Sequence, residues 1–123
     1  MSKLEILKTL QVQLIIFFDE LIDLLPEEPD LIIIRIFIKD KFPVEDIMAY
    51  IITKIIPLKH MILNKDEGFF LKNNILFEEL DNKKVNHFKT LWRSPQLFDE
   101  EDKKTLWQWF SSFIILAEKY QKL

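Results

Sequence analysis

The chain has 123 residues, 49% hydrophobic and 30% charged, with a formal net charge of -3 at neutral pH. That length suits one domain whose folding removes roughly two thirds of the extended-chain surface from water, and the apolar content excludes a disordered chain. The absence of cysteine excludes disulfides, thiolate chemistry and cysteine-held zinc, and a single glycine, Gly68, cannot build a phosphate loop or supply the turns of a many-stranded sheet.

Ser2 with Glu5 reads as a capping box, each side chain bonding a backbone N–H that the first turn leaves open. A first helix is predicted from Lys3 to about Leu25. At about 100° per residue, Leu4, Leu7, Leu10, Leu14, Phe17, Phe18, Leu21, Ile22 and Leu25 share one half of its circumference, while Lys8, Thr9, Asp19, Glu20 and Asp23 take the other. Val12 and Ile16 break the pattern, sitting together among the polar residues.

Pro26 stops this helix, and an acidic link leads to Asp30, read as an N-cap. The run Leu31-Ile32-Ile33-Ile34-Arg35-Ile36-Phe37-Ile38 has the β-branched content of a buried strand, yet it does not alternate and no comparable strand exists to pair with it. A helix is therefore predicted. Pro43, read as a first helical position, with Glu45 and Asp46 behind it, opens another helix in the manner the dipole favours, burying Ile47, Met48, Ile51, Ile52 and Ile55. Pro57 is read as restarting the chain in a short helix through Met61 and Ile62, with Gly68 near its end or in the turn beyond. Short helical pieces are expected from Phe69 to Leu80, broken at Asn73-Asn74. Asp81 then caps a segment carrying Val85, Phe88, Leu91 and Trp92, ended by Ser94-Pro95.

The last helix has the clearest signature. Asp99 caps it, Glu100, Glu101 and Asp102 fill the first turn and Lys119 and Lys122 the last, so it should reach about Gln121. Leu106, Phe110, Phe113, Ala117 and Tyr120 run down its centre line, Trp107 and Trp109 flank the apolar half, and Ile115 faces the polar side.

Chemistry is sparse. His60 and His87 lie on separate segments without Glu-x-x-His or His-x-x-x-His spacing, so no metal site is expected. The serines Ser2, Ser94, Ser111 and Ser112 suit caps, a turn and helix surface rather than a hydrolytic triad. The carboxylates cluster at helix starts, where the dipole attracts them without any catalytic role. No enzyme activity, cofactor or small-molecule substrate is expected. Arg35, Lys39, Lys54 and Glu118 interrupt the apolar runs before the roughly 18–20 residues a membrane span needs. The opening Met1-Ser2-Lys3-Leu4-Glu5 does not read as a secretory leader, and a cytoplasmic setting is expected.

The residues Leu91-Trp92-Arg93-Ser94, Asp99-Glu100-Glu101-Asp102-Lys103-Lys104, Leu106-Trp107-Gln108-Trp109-Phe110 and Ala117-Glu118-Lys119-Tyr120 are worded distinctively. Together with Asp66-Glu67-Gly68-Phe69-Phe70, Ile55-Ile56-Pro57-Leu58-Lys59 and Phe17-Phe18-Asp19-Glu20-Leu21, the chain resembles small proteins encoded by nucleocytoplasmic large DNA viruses of the mimivirus and phycodnavirus kind. The resemblance implies an infected cytoplasm or a virion as the setting, and no catalytic or ligand residue comes with it.

The sequence thus predicts an all-α bundle of about five to seven helices in one domain over residues 1–123, with long first and last helices. The function expected is a non-enzymatic module that binds a protein partner or itself. Its partner-binding residues are predicted as Val12, Ile16, Trp92, Arg93, Trp107, Trp109 and Ile115, because tryptophan beside arginine is typical of binding hot spots. The alternative is a nucleic-acid accessory protein using Lys83, Lys84, Lys89 and Arg93, which the net charge disfavours.

Overall fold

In a computed structural model, residues 1–73 and 81–123 are described; the sequence expectations for Asn74, Ile75, Leu76, Phe77 and Leu80 lie outside them. The protein is all-α, with no strand among the described residues, and its first and last helices are the long ones.

Helix α1, Lys3–Leu24, starts at the capping box read from the sequence: the Glu5 amide donates to the Ser2 hydroxyl at 3.1 Å and the Ser2 amide to the Glu5 carboxylate at 3.3 Å. Hydrogen bonding from the Ser2 amide, then from its hydroxyl, lowers the Glu5 pKa. A lowered folded-state pKa stabilises above the unfolded value, so this contribution is lost as pH falls through the lowered one. Leu7, Leu10, Leu14 and Phe17 are buried as the apolar stripe requires. Two positions depart from it. Ile6 is 1% exposed and Leu4 is 60% exposed, because α1 packs against α2, α3 and α7 together, which widens the buried arc to include Ile6 but leaves the first turn uncovered.

Helix α2, Pro29–Asp40, occupies the run that could have been a strand. It begins one residue before the expected cap: Pro29, with no N–H to satisfy, takes the first turn, and Asp30 lies inside it rather than capping it. Asp30 instead pairs with Lys84 at 3.3 Å.

Pro43 precedes the first helical residue of α3, Val44–Tyr50, which continues through a widened turn, Ile51–Ile55, and a tightened one, Ile56–Leu58, into α4, Lys59–Leu63. Pro57 does not restart the chain. Its ring lacks an N–H and would collide with the carbonyl four residues back, and the helix yields by letting the Ile56 amide reach the Ile51 carbonyl, five residues back. The Thr53 hydroxyl donates to the Ala49 carbonyl at 2.7 Å, satisfying another acceptor in the disturbed stretch.

Gly68 neither ends this segment nor lies in the turn beyond, contrary to the sequence expectation. The turn is made instead by Lys65, whose φ of 54° is left-handed. Gly68 sits inside α5, Glu67–Lys72, which Asp66 caps by accepting from the Phe69 amide at 3.1 Å. Helix α6, Asn82–Trp92, is capped by Asp81, and α7, Glu100–Gln121, by a reciprocal Asp99–Asp102 box.

The main core gathers Ile6, Leu10 and Phe17 of α1, Leu31 and Ile38 of α2, Met48 of α3, and Leu106, Phe113 and Ala117 of α7. A second cluster, Ile62, Trp107 and Ile114, lies on the other flank of α7, with Phe70, Trp92 and Phe110 packed against it. Leu10→Ala should cost about 2–5 kcal/mol, because its site is closed on all sides. Gly68→Ala should stabilise by about 0.5–1 kcal/mol, since a methyl there meets the Asp66 carboxylate at an ordinary 3.8 Å and the backbone is already helical. Urea unfolding followed by circular dichroism measures both.

Candidate interaction surface

Helix α2 carries apolar side chains around nearly its whole circumference, whereas it packs on one side. Leu31 and Ile38 point into the core, and Ile32, Ile33, Ile36 and Phe37 are exposed. A helix that is apolar all round is normally buried all round. This one is fastened to its neighbours at its edges by polar contacts: Arg35 pairs with Asp19 of α1, and the Gln11 amide nitrogen reaches the Ile38 carbonyl at 3.4 Å. At the helix start His87 meets Glu28 at 2.8 Å, beside the Asp30–Lys84 pair. These contacts fix which face is turned outward.

The outward face continues beyond α2. The Lys41 and Phe42 amides both donate to the Phe37 carbonyl, at 2.8 and 2.7 Å, and this turn lays the Phe42 ring 5.5 Å from that of Phe37. On α1, Val12, Ile16 and Asp19 fall on one stripe by helical spacing. Asp19 grips Arg35, and Ile32 stands one turn before Arg35 on the same side of α2, so the α1 stripe that carries Ile16 and Val12 meets the α2 face at Ile32. Val12, Ile16, Ile32, Ile33, Ile36, Phe37 and Phe42 are each between 42% and 56% exposed. The largest apolar patch of an ordinary monomer covers about 300–600 Å², and seven half-exposed side chains of this size reach the top of that range.

Of the residues predicted to bind a partner, Val12 and Ile16 border this surface and the tryptophans do not. Trp107 is 7% exposed, with Trp92 edge-on at 5.7 Å and Phe110 edge-on at 5.9 Å. Trp92 and Trp109 are half-buried, and their indole N–H groups are committed. Trp92 donates to Glu67 at 2.7 Å and Trp109 to Glu20 at 2.6 Å. Lys103 closes the first of these joints, 3.1 Å from Glu67 and 5.3 Å above the Trp92 ring. Trp107 is interior because the α4–α5 segment covers its flank of α7, whereas Trp109, on the flank turned to α1, keeps part of its surface exposed. Arg93 ends α6 in solvent, and Ile115 is exposed on α7.

The basic residues of α6 are largely engaged. Lys84 pairs with Asp30, His87 with Glu28, and Lys89 donates to the Leu71 carbonyl at 3.1 Å; Lys83 and Arg93 are exposed. Glu20, Asp23 and Asp102 border an open groove between α1 and α7, but Glu20 already accepts from Trp109 and Asp102 from the Asp99 amide. The groove is open to solvent, unlike the enclosed sites in which paired carboxylates usually work. Among the described residues, no three histidine, aspartate or glutamate side chains gather as metal ligands, and no helix is long and apolar enough to cross a membrane.

The α2 run stands out in the sequence for its missing alternation; the same observation, taken as a helix with no polar face, identifies the surface. In dilute solution Ile33→Ser should change stability by less than about 0.5 kcal/mol, whereas Leu31→Ala, on the inner face of the same helix, should cost about 2–4 kcal/mol. Equal losses in urea unfolding would mean that α2 is not oriented as described. No protein family, curated protein or solved structure matches the chain.

Proposed function

We propose that the protein is a non-enzymatic interaction module whose working surface is the outward face of α2 with Val12 and Ile16 of α1. The observation that carries this reading is the mismatch between an all-apolar helix and its one-sided packing. Keeping five large aliphatic and aromatic side chains of one helix, Ile32, Ile33, Ile34, Ile36 and Phe37, partly in water forgoes about 1 kcal/mol for each, relative to burial, and a partner recovers it. Nothing in the local fold requires these residues: the polar contacts of Arg35, Asp30 and Glu28 would hold the helix equally well with serine or lysine outside.

The resemblance to proteins of large DNA viruses supports a structural or regulatory role in an infected cytoplasm or a virion, where small interaction modules serve in assembly. The nucleic-acid alternative has less behind it, since Lys84, His87 and Lys89 are turned to contacts within the fold and the net charge is negative. Gel shifts at low salt should show no retention of single-stranded DNA or RNA.

The direct test replaces Phe37 with a photoreactive phenylalanine analogue and irradiates cells expressing the chain. Discrete protein adducts are expected, absent when the probe stands at Lys104 on exposed α7 surface and suppressed by Ile36→Glu. No adduct at Phe37, or adducts indifferent to Ile36→Glu, would remove this surface from consideration.

A further inference from the structure

We infer that the occupant of this face is a second copy of the chain, α2 lying antiparallel against α2 about a two-fold axis; the inference rests on the reading of the face as an interface. Shape is the first ground. Ile32 with Ile36 and Ile33 with Phe37 are each four residues apart, so they stand as two parallel ridges with a groove between. Ridges of this kind pack into the same grooves of another helix, at a crossing angle of about -50°. Two identical faces related by a two-fold axis meet that requirement with no second kind of surface.

Charge selects the direction. The start of α2 is acidic, with Glu27, Glu28 and Asp30, and its end carries Lys39 and Lys41. In an antiparallel register centred on the helix, Ile33 falls opposite Ile36 and Ile32 opposite Phe37, and the acidic first turn of one copy comes level with the lysine-bearing last turn of the other. Asp40 meets Pro29 and no like charge. A parallel pairing would set acid against acid and base against base, and would align the helix dipoles unfavourably.

Area is adequate. At 42–56% exposure, the seven apolar side chains of the face leave on the order of 600 Å² per copy, the upper end for an exposed apolar patch. Pairing two such faces removes up to about 1,200 Å², the lower edge of stable, specific interfaces. A lipid surface fits less well. Asp19, Asp23, Glu27, Asp40, Glu45 and Asp46 lie on or next to the elements bearing the face, and they would repel the anionic headgroups that usually help an interfacial helix to bind.

Light scattering on the purified full chain tests the pairing. The wild type is expected at twice the monomer mass at about 100 μM, and Ile33→Glu should weaken dimerisation at least about tenfold while helicity by circular dichroism is retained. Because the chain has no cysteine, single-cysteine variants report the direction. A mixture of Ile33→Cys and Ile36→Cys should form the crossed disulfide several-fold faster than either variant alone forms its own. Faster coupling of the Ile33→Cys variant to itself, a wild type that stays monomeric at about 100 μM, or a dimer indifferent to Ile33→Glu would overturn the inference. A monomer that still gives photo-adducts of another mass from Phe37 would overturn self-pairing alone and leave the interface reading standing; a monomer without adducts would remove both. Flotation with phosphatidylcholine vesicles, lost in Ile33→Glu and without dimerisation, would assign the face to lipid instead.

Discussion

The fold turns on the contact of α1 with α7, and within it on one ring. Phe17 meets Phe18, Trp109, Phe110 and Phe113 edge-on, with centroids 5.2–6.0 Å away. Edge-to-face aromatic pairs are directional and each is worth about 0.5–1.5 kcal/mol beyond buried area, so the three that cross to α7 fix how the two long helices sit on each other. The other elements are placed relative to this pair. The α3–α4 rod and α5 cover the second flank of α7, and α2 lies along the far side of α1. Because α1 is already packed against α3 and α7, α2 lies at the edge, and about half of its apolar surface is left uncovered by the described residues.

The helices are legible in the sequence wherever local chemistry decides them. Ser2–Glu5 and Asp99–Asp102 are reciprocal caps written within four residues, and both long helices begin where those caps place them. The run from Leu31 to Ile38 is helical despite its β-branched residues, because a strand needs a neighbour and the sequence offers none. Which side of each helix is covered is not legible in the same way. An apolar stripe has a width that can be counted along the chain, but the number of helices leaning on it cannot, and so Ile6 and Trp107 are both more deeply buried than the counted stripes imply. The turn before α5 departs for a different reason: the one glycine looks like the natural breaker, yet the chain turns at Lys65.

The candidate surface is partly visible in the sequence. Val12 and Ile16 stand out because they contradict a clear amphipathic pattern, whereas Ile32, Ile33, Ile36 and Phe37 contradict nothing: without a polar face there is no pattern for them to break. The tryptophans attract attention for their chemistry, and that chemistry serves the interior. Each half-buried indole N–H lands on a carboxylate from another helix, Glu67 or Glu20, which converts a polar atom inside a mostly apolar joint into a specific fastening.

The aromatic seam also governs how the chain reaches its fold. Trp109 and Glu20 are 89 positions apart, and during synthesis at the ribosome α1 emerges long before the helix it is built to grip. In the finished molecule α2 and α3, nearest to it in sequence, also pack on α1. The contact of α1 with α7 closes a far longer loop than either, and so carries the largest chain-entropy cost of the helix pairings that α1 makes.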